Sequence, residues 1–383
     1  MSERRICFVT GSRAEYGLLS PVMAAVRKES SFRLQLIVTG MHLASQFGLT
    51  WQQVEADGFS IDEKVDIDLS SDSAAAVTHS LGLGVMGFAD ALDRLRPDLV
   101  VLLGDRYEIL AAAQAALIAR IPVAHIAGGD TTEGAFDEAI RHSITKMAHI
   151  HFVTNEEAAH RVRQLGENPT QIHLVGSPGI DVIRQIRLLD RTALERELGF
   201  TFREHNLLVT FHPATLDEQP PHLQFRELLK GLERLGDEVG VIFTLPNADP
   251  ASQPIIDLIG KYTATHSQTR AFTSLGPLRY LSTIAQVDAV VGNSSSGLYE
   301  VPSFHKPTVN IGDRQKGRPQ AMSVINCSPQ AEAIELAIRE AFSRDCSDVV
   351  NPYGDGDSAR RIVAVLKATP DYSKLLKKRF FDL

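Results

Sequence analysis

The chain has 383 residues, 44% hydrophobic and 22% charged, long enough for two ordinary domains and composed like a globular protein. Its net charge of −8 argues against general affinity for nucleic acid, which needs clustered positive charge, but leaves room for local basic pockets. No run of about 18 apolar residues marks a membrane span, and the start MSERRICFVTGSR enters a strand without a signal-peptide core. The three cysteines, Cys7, Cys327 and Cys346, lack zinc spacing and suggest no disulfide framework. The expectation is a cytoplasmic chain with reduced thiols and no membrane partner.

In chain order, short apolar runs alternate with amphipathic helical stretches. Strands are predicted at 5–10, 33–39, 98–103, 122–127 and 149–154, with helices at 15–29, 74–96, 106–120 and 135–147 between them. After QIHLVGSPGIDVI the rhythm restarts, with strands at 206–211, 239–245, 270–275, 287–292 and 307–311. A last helix, about 357–368, follows the Tyr-Gly-Asp-Gly turn at 353–356. The alternation predicts α/β architecture: two Rossmann-like domains with parallel sheets. The linker is expected near 175–185. That gives an N-terminal domain of residues 1–178, a C-terminal domain of residues 179–356, and a terminal segment, 357–383, packing back on the first. Two such halves are expected to face one another across an interdomain cleft, a preferred position for a ligand.

The most informative stretch runs from Asp98 to Lys146. Two buried-looking runs, VVLLG and VAHIAGG, each end in glycine followed at once by an acid, Asp105 and Asp130; Asp137 opens the next helix. Ligands of open α/β sheets sit outside the carboxyl ends of the strands, so acids there are placed for acid–base work. Asp105 also reads as a helix cap. On the helix after Asp137, spacings of three and four put Asp137 beside Arg141, and Glu138 beside Arg141 and His142, which also reads as a structural ion-pair face. His212, in VTFHPAT, follows a strand. His149 and His151 share one strand face without a third ligand, so packing is the better reading and no metal is expected.

Anion-binding features concentrate in the second half. VDAVVGNSSSGLYEVPSF (287–304) is a strand, a small-residue turn and a short helix, where small residues would let a phosphate approach backbone N–H groups and Ser294 and Ser295 add hydroxyl donors. Glu300, about one turn on, is placed to accept from ribose hydroxyls. Arg13, in VTGSRAEYGLL, repeats the strand–turn–helix logic and could clamp a diphosphate. Arg314, Lys316 and Arg318 form a further basic loop. GLGVMG (82–87) matches G-x-G-x-x-G literally, but inside a helical pattern; close helix packing explains it better than a dinucleotide site.

Together, TGSRAEYG (10–17), VTGMH (38–42), GDRYE (104–108), DEAIRHSITK (137–146), FHPAT (211–215), GNSSSG (292–297), EVPS (300–303) and NIGDRQKGR (310–318) strongly resemble the hydrolysing UDP-N-acetylglucosamine 2-epimerases. The resemblance implies a GT-B-like fold and conversion of a UDP-sugar plus water to UDP and free N-acetylmannosamine, through elimination across C1–C2 to a glycal. A sub-branch acts on UDP-N,N'-diacetylbacillosamine for legionaminic acid. It implies Asp105, Asp130, Asp137 and His212 as catalytic residues. It implies Arg13, His42, Asn247, Ser294, Ser295, Gly297, Glu300 and Arg314 as substrate contacts. It implies a UDP-sugar as the partner, no cofactor, and a homodimer or homotetramer. One departure stands out: many relatives have His-Gly-Gly-Glu where this chain has Ala127-Gly128-Gly129-Asp130, an acid one methylene shorter. A non-hydrolysing epimerase, a glycosyltransferase of the same architecture and a sugar-nucleotide sensor are the competing readings. Three acids at one site argue against the sensor, because binding a diphosphate gains nothing from added negative charge.

Overall fold

The computed structural model describes residues 3–71, 73–131, 137–213, 219–246 and 252–383. The chain divides into two compact units, Met1–Arg184 with Tyr353–Leu383, and Gln185–Pro352.

The first unit is built on seven parallel strands: β1 (Arg4–Thr10), β2 (Phe32–Thr39), β3 (Glu63–Val65), β4 (Leu99–Leu103), β5 (Val123–Ile126), β6 (Ile150–Val153) and β7 (Ile172–Leu174). Their order is β3-β2-β1-β4-β5-β6-β7. A parallel sheet is covered by helices on both faces, so its central strands read as continuous apolar runs. Leu99–Leu103, LVVLL, is buried throughout for this reason. One core cluster joins Ile6, Phe8, Val101 and Ile126 to the helix Arg13–Arg27, and Ile362 and Leu366 of the late helix Ser358–Ala368 enter it. That late helix is capped by the buried Asp181, whose carboxylate accepts from the Ser358 and Ala359 N–H groups at 3.0 and 2.7 Å. A carboxylate there satisfies two otherwise orphaned donors at the positive end of the helix. The opposite face carries the helices Ala74–Leu95 and Tyr107–Ile118, packed with Val9, Val100 and Leu102. A Cβ on Gly84 would lie 3.0 Å from Ala111 Cβ, and one on Gly87 would lie 2.7 Å from Val65 Cγ1. The GLGVMG glycines at these two positions therefore serve close packing. Ala74–Leu95 has the length and hydropathy of a membrane-crossing helix, with 28% of its apolar window buried.

The second unit has six parallel strands: β8 (His205–Thr210), β9 (Val239–Thr244), β10 (Thr269–Phe272), β11 (Ala289–Gly292), β12 (Thr308–Ile311) and β13 (Val324–Cys327). Their order is β10-β9-β8-β11-β12-β13. One face is an apolar layer in which Phe211, Phe225, Phe243 and Tyr262 meet edge-on or tilted, beside Ile334 and Ile338 of the helix Ala331–Ser343. Such ring geometries suit the aromatic quadrupole.

In each sheet the order reverses beside the first strand of the unit, between β1 and β4 and between β8 and β11. At these switch points the two flanking connections leave on opposite faces, opening a crevice at the strands' carboxyl ends.

Candidate active site

At the first switch point, β4 is followed by Gly104 at φ +80°, which turns the chain so that Asp105 leaves the carboxyl end of the strand. Asp105 does not cap the following helix; Arg106 holds that position. Its carboxylate is in close ion contact with the guanidinium of Arg141, from the helix Asp137–Met147. The same buried guanidinium donates to Glu138 Oε2 at 3.0 Å and to the carbonyl of Asp130 at 2.7 Å. Arg141 therefore ties the ends of β4 and β5 to the helix that Asp137 opens. Burial raises the Asp105 carboxyl above the usual range; the Arg141 charge opposes this, and the Asp137 charge reinforces it. Burial wins because an ion pair recovers only part of the hydration that a carboxylate loses.

Asp130 points along the neighbouring strand end, where its Oδ1 accepts from Thr154 Oγ1 at 2.5 Å. The loop before it is tight. Ala127 is left-handed at φ +63°, and a Cβ on Gly128 would lie 2.8 Å from Thr145 Oγ1. Beneath it, His125 Nε2 lies 2.8 Å from the Gly104 carbonyl and Nδ1 lies 3.1 Å from Thr145 Oγ1. A carbonyl only accepts, so Nε2 carries the proton and Nδ1 accepts from the threonine. Burial lowers His125 to about 3, keeping it neutral and fixed in that tautomer. His125 thus locks the turn behind Asp105 to the catalytic-candidate helix, a role its place in an apolar run conceals.

Arg13 is exposed at the first position of its helix, beyond the cap Ser12. His42 departs from expectation. It is fully buried, with Nε2 3.1 Å from Thr10 Oγ1 and Nδ1 2.8 Å from Thr50 Oγ1, and burial lowers it to about 4. The single turn Gly40–His42 after β2 directs the ring inward, so both nitrogens brace loops and none is left for a ligand. His149 and His151 are likewise interior. Val123 N–H donates to His149 Nδ1 at 3.2 Å, and His151 Nε2 pairs with the buried Glu167 at 2.9 Å.

At the second switch point, Gly292 has φ +139°, and a Cβ there would lie 1.9 Å from the Thr210 carbonyl oxygen. Only glycine lets β8 and β11 end this close together. The next residue, Asn293, is buried and clamps the backbone of His212. Its Oδ1 accepts from His212 N–H at 2.7 Å, and its Nδ2 donates to the His212 carbonyl at 2.8 Å. Its own carbonyl accepts from Arg314 Nη1 at 3.0 Å and from Gln315 Nε2 at 2.8 Å. Asn293 and Gln315 organise this loop, although only their neighbours stand out in the sequence. Of the basic loop, Arg314 reaches the turn, whereas Lys316 pairs at 3.7 Å with Asp313 and Arg318 donates to Gln315 at 3.0 Å.

Ser294 and Ser295 lie partly exposed at the start of a helix of only four residues, Ser296–Tyr299. So short a helix has little macrodipole, and anion binding here would rest on hydroxyl and N–H donors. Gly297 has a packing reason: a Cβ on it would lie 2.6 Å from Thr308 Cγ2, and its carbonyl accepts from Thr308 Oγ1 at 2.7 Å. Glu300 is partly buried, its Oε2 without a hydrogen-bond partner among the described residues, and burial raises its carboxyl. Tyr280, beside it, donates to Ser296 Oγ at 2.8 Å. Asn247 lies outside the described residues.

Carboxylates thus gather at one parallel-sheet switch point and a glycine-serine loop at the other. The family model for UDP-N-acetylglucosamine 2-epimerase matches residues 24–367. The chain belongs to this family. It is 36% identical to the GDP/UDP-N,N'-diacetylbacillosamine 2-epimerase (hydrolyzing) of Campylobacter jejuni, over 100% of both chains. It is 34% identical to the UDP-N,N'-diacetylbacillosamine 2-epimerase (hydrolyzing) of Legionella pneumophila, over 98% of each. The fold is that of a crystal structure described as a putative UDP-N-acetylglucosamine 2-epimerase from Listeria monocytogenes, with TM-score 0.80, 19% identity and 96% of each chain covered. The GT-B-like α/β class expected for this family is thus the class observed.

Proposed function

We propose that the protein is a hydrolysing 2-epimerase of a UDP-activated 2-acetamido sugar, converting it with water to UDP and the free 2-epimer. Asp105 carries the reading: a carboxylate at a parallel-sheet switch point, raised by burial, held by the buried Arg141 and within electrostatic reach of Asp137.

The chemistry explains why such residues are needed. The C2 hydrogen is not α to a carbonyl, so its removal requires help from departure of the diphosphate, which gives C1 oxocarbenium character. A base takes the C2 proton, its bonding pair forms the C1–C2 double bond, and the C1–O bond to the diphosphate breaks. Water then adds its oxygen to C1 while a proton returns to C2 on the opposite face. Asp105, Asp130 and Asp137 are assigned to proton removal and return. His212 is assigned to the departing phosphate or to proton transfer. Arg13, Ser294, Ser295 and Arg314 are assigned to the diphosphate, and Glu300 to the ribose. Metal and cofactor have no part in the assignment. Gly297 stays in the contact set through its place in the serine loop, and His42 supports the architecture.

The family description supports UDP-N-acetylglucosamine as substrate, giving N-acetylmannosamine, and the two relatives' names support UDP-N,N'-diacetylbacillosamine. Asp130 in place of the longer acid fits a different sugar at that position. Cytoplasmic placement accords with three unpaired cysteines, Cys7 and Cys346 both buried. The reading includes a homodimer or homotetramer, which sedimentation of the purified chain checks.

Incubation with each nucleotide sugar in D₂O, followed by NMR, tests the function. The expected products are free 2-epimer, released UDP and deuterium at C2. Retained UDP linkage would indicate the non-hydrolysing reaction, and transfer to an added acceptor with C2–H intact would indicate a glycosyltransferase.

A further inference from the structure

Two carboxylates outside the assigned set lie beneath the first switch point. Glu108 and Glu15 are 1% and 6% exposed. Three loops converge on them. From the β4 end, Arg106 Nε donates to Glu108 Oε1 at 2.5 Å. From the β1 end, Gly11 N–H donates to Glu15 Oε2 at 2.8 Å, and a Cβ on Gly11 would lie 2.6 Å from Glu108 Oε1. From the β2 end, a Cβ on Gly40 would lie 3.3 Å from the same oxygen. The remaining oxygens, Glu15 Oε1 and Glu108 Oε2, are both buried without a hydrogen-bond partner among the described residues. The pair thus has one guanidinium for two acids, and two oxygens that lack a donor.

We propose that Glu108 and Glu15 are positioning residues for the epimerase reaction, Glu108 as the anion that fixes Arg106 beside Asp105, and Glu15 as a protonated acid that holds Gly11 and leaves the pair one negative charge. A single proton relieves both shortages: it removes the unbalanced charge, and it supplies a donor that the two oxygens share directly or through one water. Two buried carboxylates with one cation do not both ionise readily. The environment of Glu15 agrees: burial and then the Glu108 charge push it up to about 8, against the Gly11 N–H and Arg106, with Asp105 adding to the rise. The turn after β2 contributes Gly40 and the neutral His42. Ionisation of Glu15 would set two like charges under the loops that carry Arg13 and Asp105 and loosen both.

The inference rests on the proposed activity, and its test separates the two. In infrared spectra of the full chain at pH 7, the difference between the wild type and Glu15→Gln is expected to contain a protonated-carboxyl stretch. Wild-type turnover is expected to fall as pH rises through about 8. Glu15→Gln should lose that alkaline fall and lower kcat only a few-fold at pH 7, because the amide oxygen still accepts from Gly11. Glu108→Gln should lower kcat by about 10²-fold with KM little changed, since an ångström of displacement costs that much, and Glu108→Asp should recover part of it. A difference spectrum without that carboxyl band, an alkaline fall that remains in Glu15→Gln, or equal damage from both glutamine variants would overturn the proposal. If Glu108→Gln does not fold, Glu108→Asp and the infrared band still decide. A folded wild type that turns over no nucleotide sugar would sink the function assignment alone, and the infrared comparison would still test the pair.

Discussion

The two units solve one backbone problem with different chemistry. Each reverses its strand order beside its first strand, and each needs a glycine there, but for different reasons. Gly292 yields space to backbone, the Thr210 carbonyl, whereas Gly11 yields space to a side chain, that of Glu108. In the second unit the loop is then held mainly by amides, Asn293 and Gln315, with Arg314 on the same backbone carbonyl. In the first it is held by charges, Arg141 with Asp105 and Arg106 with Glu108. An amide framework presenting donors suits a diphosphate, and a charged framework that holds a burial-raised carboxyl in place suits proton transfer. The fold supplies the crevice, and the residues that brace it set its chemistry.

The largest effect should come from making the two glycines alike. Gly292→Ala combines a positive φ with backbone that cannot retreat, so a loss of more than about 4 kcal/mol is expected, enough to leave the chain largely unfolded in a denaturant titration. Gly11→Ala meets a side chain that can shift, so about 1–3 kcal/mol is expected, with a fall in kcat as Glu108 moves. Equal stability losses would mean that the two crevices are built alike after all.

Next in size is Asp105→Asn, which removes charge from the first crevice without changing its shape. Turnover should fall on the order of 10³-fold, while UDP affinity, measured by calorimetry, stays within a few-fold. Asn293→Ala does the reverse in the second crevice. It leaves the His212 N–H and carbonyl without their partner, costing about 2–3 kcal/mol of stability, and it should weaken UDP binding more than it slows turnover of bound substrate. If Asn293→Ala lowered kcat alone, the division of labour between the units would be wrong.

Legibility of the sequence followed burial. Ten strands are readable as apolar runs, and for the inner ones this follows from burial on both faces. Three short strands, EKV at β3, IHL at β7 and VINC at β13, escape that reading. All three are sheet edges, where exposure interrupts the apolar pattern. At the site, Asp105 is readable from a glycine-acid step after a strand. Its partner is not: Arg141 is a helix-face neighbour of Glu138 by spacing, and nothing local shows that it reaches a residue 36 positions earlier. His42 illustrates the opposite failure. A histidine just past a strand end looks available, and only the inward turn of Gly40–His42 shows that both ring nitrogens are occupied.

The smallest effect separates two serines in equivalent turns. Ser12 follows β1 and caps the long helix Arg13–Arg27, its Oγ accepting from Glu15 N–H at 3.3 Å. Ser295 follows β11 at the start of the four-residue helix, and its hydroxyl makes no cap bond. Ser12→Ala should therefore cost about 1 kcal/mol of stability, visible as a lowered denaturant midpoint at unchanged slope. Ser295→Ala should leave the midpoint in place and weaken UDP binding instead, because its hydroxyl remains available to the diphosphate. Were Ser295→Ala the more destabilising of the two, its hydroxyl would be part of the scaffold, and the second crevice would offer backbone donors and Ser294 in its place.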